Sequence, residues 1–142
     1  MAFEELSRRP AAAETGLPAA RTILVVDDNA DSAECMAFVL RRLGHDADYI
    51  SDPRRVVAAV REKKPHAVFV DIGMPYIDGY QLARLLKSQY REMVIVAISG
   101  RDSAEDRKLG REAGFDAHVA KPADAAMLQS ILETVFAPRR PR

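Results

Sequence analysis

The chain has 142 residues, 48% apolar and 30% charged, enough for one domain that buries roughly two-thirds of its unfolded surface. Its 21 Lys and Arg balance 21 Asp and Glu, leaving no basic excess to hold a nucleic-acid backbone. The single cysteine, Cys35, excludes an internal disulfide and Cys-rich zinc modules, and no apolar stretch approaches the ~20 residues of a transmembrane helix.

Residues 1–20 are Ala-rich, contain Pro10 and Pro18, and are expected to form a flexible N-terminal extension. Glu4, Glu5, Arg8 and Arg9 stand where a signal peptide needs an apolar core, so a cytoplasmic location is expected. Residues 22–137 carry 15 basic and 18 acidic side chains, an acidic domain balanced by a basic C-terminal end. The domain is taken as residues 21–137, and residues 138–142 read as a short tail.

Residues 23–26 form a continuous apolar run, as expected of a parallel strand buried on both faces. Ala33, Met36, Ala37, Leu40 and Leu43 then share one face of a helix that Gly44 ends. The shorter, more polar residues 47–50 fit an edge strand. Asp52 and Pro53 read as cap and first residue of a second helix, with Val56, Val57 and Val60 facing inward. A second buried run at 67–70 precedes a helix marked by Leu82, Leu85 and Leu86, and a third lies at 94–98. Residues 103–114 predict a weaker helix with sparse apolar positions (Ala104, Leu109, Ala113) and Gly110 in its middle, at a cost of about 1 kcal/mol relative to alanine. Residues 117–120 fit the other edge strand. Asp124 is the expected N-cap of a last helix bearing Leu128, Ile131, Leu132 and Val135.

Five βα units in succession imply an α/β, doubly wound parallel sheet with right-handed crossovers. Ligands of such sheets bind beyond the carboxyl ends of the strands. Asp27 and Asp28 follow the first strand there, and Asp71 the third. Singly, each could merely cap the helix that follows. Together, three carboxylates repel unless a cation compensates, and hard oxygen donors with room for water suit Mg²⁺. Ser99, next to Gly100, ends the fourth strand, and Lys121, before Pro122, ends the fifth. Carboxylates, a hydroxyl, an amide and one ammonium suit a phosphoryl group bound beside a metal.

Val25-Val26-Asp27-Asp28-Asn29, Val70-Asp71-Ile72-Gly73-Met74-Pro75, Asp78-Gly79, Ser99-Gly100 and Lys121-Pro122 are ordered and spaced as in the receiver domains of two-component response regulators, which residues 22–137 resemble. The resemblance implies a flavodoxin-like five-stranded sheet of order 2-1-3-4-5 with five helices; the strand order is carried over from that family, one member of which is a standard example of the fold. It also implies that Asp71 is the phosphoacceptor and that Asp28 binds Mg²⁺ directly. Asp27 would hold the metal's water shell, and the Gly73 carbonyl would be a further protein contribution. Lys121 would pair with a phosphoryl oxygen, Ser99 would close on another, and the Lys121–Pro122 bond would be cis. Such a domain catalyses phosphoryl transfer onto its own aspartate and hydrolysis from it; it is not an enzyme with a separate substrate. Its expected partners are a histidine kinase or histidine phosphotransfer protein and a downstream protein target, with no nucleic acid and no membrane.

One departure bears on signalling. Many receivers place Tyr or Phe three residues before the motif lysine as a rotating switch coupled to the hydroxyl. Here that position is His118, which reads either as a solvent-facing edge-strand histidine or as an altered, pH-sensitive switch. Gly110 either loosens the fourth helix or is a tolerated surface glycine. His45 and His66 lack ligand spacing and are expected near element ends; Cys35 is expected to be partly buried on its helix.

With about twenty residues before the domain and five after, a single-domain response regulator acting by docking or phosphorelay is expected. The stretches Asp71-Ile72-Gly73-Met74-Pro75 and Ala113-Gly114-Phe115-Asp116-Ala117-His118 look most like receivers of hybrid histidine kinases, so a fragment of such a kinase is the alternative. Two rivals fit poorly. An aspartyl-nucleophile phosphatase of the haloacid-dehalogenase type needs a second aspartate where Gly73 stands. A flavodoxin-like FMN carrier needs a Ser/Thr/Gly phosphate loop where Asp27-Asp28-Asn29 stands.

Overall fold

Three apolar runs become the centre of one parallel sheet in the computed structural model, which describes residues 20–75, 77–100 and 104–137. These are β1 (Thr22–Val26), β3 (Ala67–Asp71) and β4 (Val94–Ser99); β2 (Asp46–Ile50) and β5 (Ala117–Ala120) take the edges, in the order β2-β1-β3-β4-β5. The expected order and both edge assignments hold. The expected extension, up to residue 19, and the tail at 138–142 lie outside the described residues.

Alternate side chains of each strand point to opposite faces, which divides the core in two. Ile23, Val25, Phe69, Val96, Ile98 and Val119 pack on one face against α1 (Ala30–Arg42) and α5 (Ala125–Val135). Leu24, Val26, Val68, Val70, Ile95 and Ala97 pack on the other against α2 (Val56–Lys63), α3 (Gly79–Gln89) and α4 (Ala104–Ala113). No helix among the described residues is long and apolar enough to cross a membrane.

Several local expectations are corrected. Asp52 and Pro53 do not open α2; Asp52 caps a 3-10 turn, Pro53–Arg55, by accepting from Arg54 N at 3.1 Å, and α2 starts after it. The sheet-facing stripe of α3 is Gly79, Leu82, Ala83 and Leu86, which leaves Leu85 at its margin, 42% exposed. In α4 the inward residues are Gly110 and Ala113, while Leu109 is 40% exposed. Cys35 is exposed, because the buried stripe of α1 runs through Ala33, Met36, Ala37 and Leu40.

Gly110 is therefore a buried contact and not a surface glycine. A Cβ at this position would meet the Phe115 ring at 3.5 Å, an ordinary van der Waals distance. Gly110→Ala is expected to stabilise the domain by about 1 kcal/mol through helix propensity. Urea unfolding checks this; a loss of stability would show that α4 needs the glycine.

The strands carry their hydrogen bonding one residue further than the apolar runs suggest. Ile72 N donates to Ile98 O at 2.9 Å and Lys121 N to Ser99 O at 2.8 Å. Asp71 and Ser99 are consequently the last residues of β3 and β4, held by the ladder itself rather than carried on loops.

Candidate functional site

Asp27 follows β1, the inner strand at which the strand order reverses, and is 2% exposed. Its Oδ1 accepts from Asn29 N at 3.0 Å. Asp71 repeats this local geometry, its Oδ1 accepting from Gly73 N at 2.8 Å. Both are Asx-type turns, in which a short carboxylate bonds its own backbone two residues on. Each turn fixes one carboxylate oxygen and leaves Oδ2 facing the space between β1 and β3.

Lys121 enters that space from the end of β5, and its peptide bond to Pro122 is cis, as expected. Its Nζ donates to Asp27 Oδ2 at 2.8 Å and to Asp71 Oδ2 at 2.9 Å. Asp28 is exposed, and one carboxylate oxygen from each of Asp27, Asp28 and Asp71 lies within 4.8 Å of the others. Ser99, 5% exposed, ends the neighbouring strand, and its carbonyl accepts the Lys121 amide. Of the residues picked out in the sequence, Asp27, Asp28, Asp71, Gly73, Ser99 and Lys121 thus meet at one sheet edge.

The capping explanation of the acidic residues fails here. Asn29 caps α1, accepting from Ser32 N at 3.0 Å, and Asp78 caps α3, accepting from Tyr80 N at 2.9 Å. Asp27, Asp28 and Asp71 cap none of the described helices. Asp78 also explains the glycine beside it. A Cβ at Gly79 would lie 3.0 Å from Ile72 Cα, so a side chain here would require the strand end bearing Asp71 to give by a few tenths of an ångström.

The charges are matched to their surroundings. Burial pushes the Asp27 carboxyl up, but hydrogen bonds from Lys121, the Asn29 amide and the Ser32 side chain, with the Lys121 charge, hold it below the usual carboxylate range. Burial pushes Lys121 down, and its bonds to Asp27 and Asp71 outweigh this, so its ammonium persists above the ordinary lysine range. Three carboxylates against one ammonium leave net negative charge at the cluster. Its donors are all oxygens, without thiolate or imidazole among them, a set that fits a small hard divalent cation. Gly73 keeps the approach open, since a Cβ there would press on Asp71 Oδ1 at 3.2 Å.

A cation that binds this cluster only when folded must stabilise the fold. At roughly ten times its dissociation constant, Mg²⁺ is expected to add about 1.4 kcal/mol, raising the thermal midpoint by about 4 °C. Asp28→Asn, which removes the exposed carboxylate, is expected to abolish most of that shift; a shift of equal size in the variant would place the cation elsewhere.

Sequence reasoning missed two features. The Ser32 side chain supports Asp27, a contact hidden by its position on the first turn of α1. A cavity of about 580 Å³, lined by Asp28, Ser51, Asp52, Pro53, Arg54 and Ile77, adjoins the cluster. No pattern announces it, because its walls come from three separate connections. His118 departs from the solvent-facing reading: both ring nitrogens are buried and, among the described residues, lack hydrogen-bond partners. Paired with Ala97 across β4 and β5, it stands apart from the carboxylate cluster.

Comparison with known proteins agrees with this geometry. The family model described as the response regulator receiver domain matches residues 23–133. The receiver domain of the sensor histidine kinase PA1611 of Pseudomonas aeruginosa, solved with magnesium in its active site cleft, is 29% identical with a TM-score of 0.74, covering 84% of this chain and 100% of that one. The chemotaxis protein CheY4 of Vibrio cholerae is 22% identical with a TM-score of 0.77, covering 83% and 100%. The HemR receiver domain of Leptospira biflexa is 21% identical with a TM-score of 0.73, covering 85% and 98%. With the motif residues gathered at one sheet edge and the family model spanning nearly the whole sheet, the chain belongs to the response regulator receiver domain family.

Proposed function

We propose that this chain accepts a phosphoryl group on Asp71 from a phosphohistidine donor in the presence of Mg²⁺, and signals by docking a partner or passing the group on. The observation that carries the reading is the shared Lys121 ammonium, bonded at once to the buried carboxylates of Asp27 and Asp71. That arrangement holds a nucleophile, an acidic metal-binding edge and a cation for the incoming phosphoryl oxygens within one site.

In the transfer, a carboxylate oxygen of Asp71 attacks phosphorus. The bond from phosphorus to the donor imidazole breaks, and that nitrogen leaves with the electron pair. Lys121 moves from carboxylate to phosphoryl oxygen, and the Ser99 hydroxyl hydrogen-bonds another. Asp28 would hold the cation, with Asp27 holding its water shell and the Gly73 carbonyl a further protein contribution. When bound, Mg²⁺ neutralises charge on the transferring group. Gly100 puts no side chain beside Ser99, and a Cβ there would meet nothing within 4 Å among the described residues, which supports a phosphoryl lifetime short of many hours.

A second reading, a receiver within a hybrid histidine kinase, is favoured by the 29% identity to the PA1611 receiver. Ser99 and His118 are the proposed switch pair in either setting. Radiolabelled phosphotransfer from autophosphorylated kinases and phosphotransfer domains tests the function. Label moving to the chain supports it, and a chain that takes label from none of them overturns the donor assignment.

A further inference from the structure

The ends of β1, β3 and β4 opposite the carboxylate cluster open on a second cleft. Arg21, His66 and Met93 directly precede those three strands, and all three residues line it. His66 and Asp71 stand at the two ends of the β3 run, roughly 17 Å apart at about 3.3 Å per residue. The cleft has a volume of about 600 Å³. That is within the range of small-molecule sites, roughly 300–1,000 Å³. Val60, Pro65 and Met93, all buried, and the half-buried rings of Tyr90 and Phe136 give it an apolar lining.

Its charge runs against that of the domain. Arg21, Lys64 and Arg91 line the cleft against one carboxylate, Glu92, although residues 22–137 are acidic overall. None of the three cations is in an ion pair among the described residues. The Arg21 guanidinium lies 4.3 Å from the centre of the Phe136 ring, a cation–π contact that fixes it at the cleft. His66 Nδ1 accepts from Thr22 N at 2.9 Å, so the ring's proton is on Nε2, which is left as a donor. Lys64, at the end of α2, has φ 46°, the one positive φ at a non-glycine position among the described residues. The chain leaves α1 and α4 through Gly44 and Gly114, at φ 100° and 104°, which take such a turn without steric cost. At the end of α2 a lysine makes the left-handed step instead, giving up conformational ease and keeping an ammonium at the cleft.

We propose that this cleft binds a small aromatic anion, a flat ring carrying one carboxylate or phosphate group. The ring packs against Tyr90, Phe136 and Met93, and the anionic group is met by Lys64, Arg21 and the His66 Nε2–H. The apolar lining selects the ring, and the excess of cations selects the charge. The site shares no residue with Asp27, Asp28, Asp71, Ser99 and Lys121, so the inference does not rest on phosphoryl acceptance.

The test uses the full chain with isotope-labelled histidine, the His118 ring serving as a control outside the cleft. The probes are 2-naphthoate and adenosine monophosphate, each compared with its neutral counterpart, 2-naphthamide or adenosine. The expected result is a saturable shift of the His66 ring resonances by at least one anion, with none at His118. The neutral counterpart is expected to bind about ten-fold more weakly. The two anions distinguish a carboxylate from a phosphate head group. Lys64→Gly is expected to weaken binding about ten-fold while its urea midpoint stays at or above the native one, since glycine makes the left-handed turn freely. Four results overturn the proposal: no saturable shift at His66 with either anion, equal affinity for anion and neutral counterpart, undiminished binding by Lys64→Gly, or the same shift produced by inorganic phosphate.

Discussion

Asp71→Asn is expected to lower phosphoryl uptake by at least about a hundred-fold, to below detection, while leaving the fold intact. Asparagine keeps the shape of the side chain and an oxygen to accept the Gly73 amide, a bond of 2.8 Å in the native site. What it loses is the anionic oxygen that attacks phosphorus. Lys121 retains Asp27, at 2.8 Å, so the ammonium stays in place and the change is confined to the nucleophile. Intact mass after incubation with acetyl phosphate and Mg²⁺ reads the outcome, and circular dichroism confirms the fold. Uptake at the native rate would mean that another group accepts the phosphoryl.

The second large effect concerns stability. Lys121→Met preserves side-chain length and removes the charge, leaving Asp27 and Asp71, 2% and 10% exposed, without their shared partner. Removing one member of a buried pair costs about 3–5 kcal/mol. The Lys121 side chain is 29% exposed, and solvent screening places the expected loss near the lower figure, about 3 kcal/mol at pH 7 without divalent cation. Because Asp27 is held below its ordinary value of 3.8, its contribution is present above that pH and is lost as pH falls through its lowered folded value. Lys121 is raised above its ordinary 10.5, so its contribution is present below that pH and is lost as pH rises through the raised value. The gap between native and variant is thus widest between those limits and closes in acid. Mg²⁺ should narrow it at pH 7 by returning positive charge to the cluster. Urea unfolding at several pH values checks all three points; a variant as stable as the native chain, indifferent to Mg²⁺, would contradict the geometry.

These effects fall on residues that the sequence made conspicuous, for a physical reason. Runs such as Val68-Phe69-Val70 are buried on both faces of a parallel sheet, so they are apolar without alternation and stand out. Polar residues directly after such runs then mark the sheet edge where ligands bind, which is how Asp27, Asp71, Ser99 and Lys121 could be picked out. Contacts set by packing were not legible. Leu85 and Leu109 have the composition of core residues but sit at the margin of their helical stripes, because small neighbours, Ala83 and Gly110, make the close approach instead. Asp52-Pro53 carries the signature of a helix start, yet the chain first makes a 3-10 turn before α2. That the His118 nitrogens have no hydrogen-bond partner among the described residues depends on what packs around the ring, and no local pattern encodes an absence of that kind.

The most direct test of phosphoryl acceptance at Asp71 is the intact mass of the chain after acetyl phosphate and Mg²⁺. The chain contains no tryptophan, so mass replaces indole fluorescence as the readout. One added phosphoryl group is expected, absent when Mg²⁺ is chelated and absent in Asp71→Asn. A mass gain that persists in Asp71→Asn, or no gain from acetyl phosphate or from any phosphohistidine donor, would contradict it.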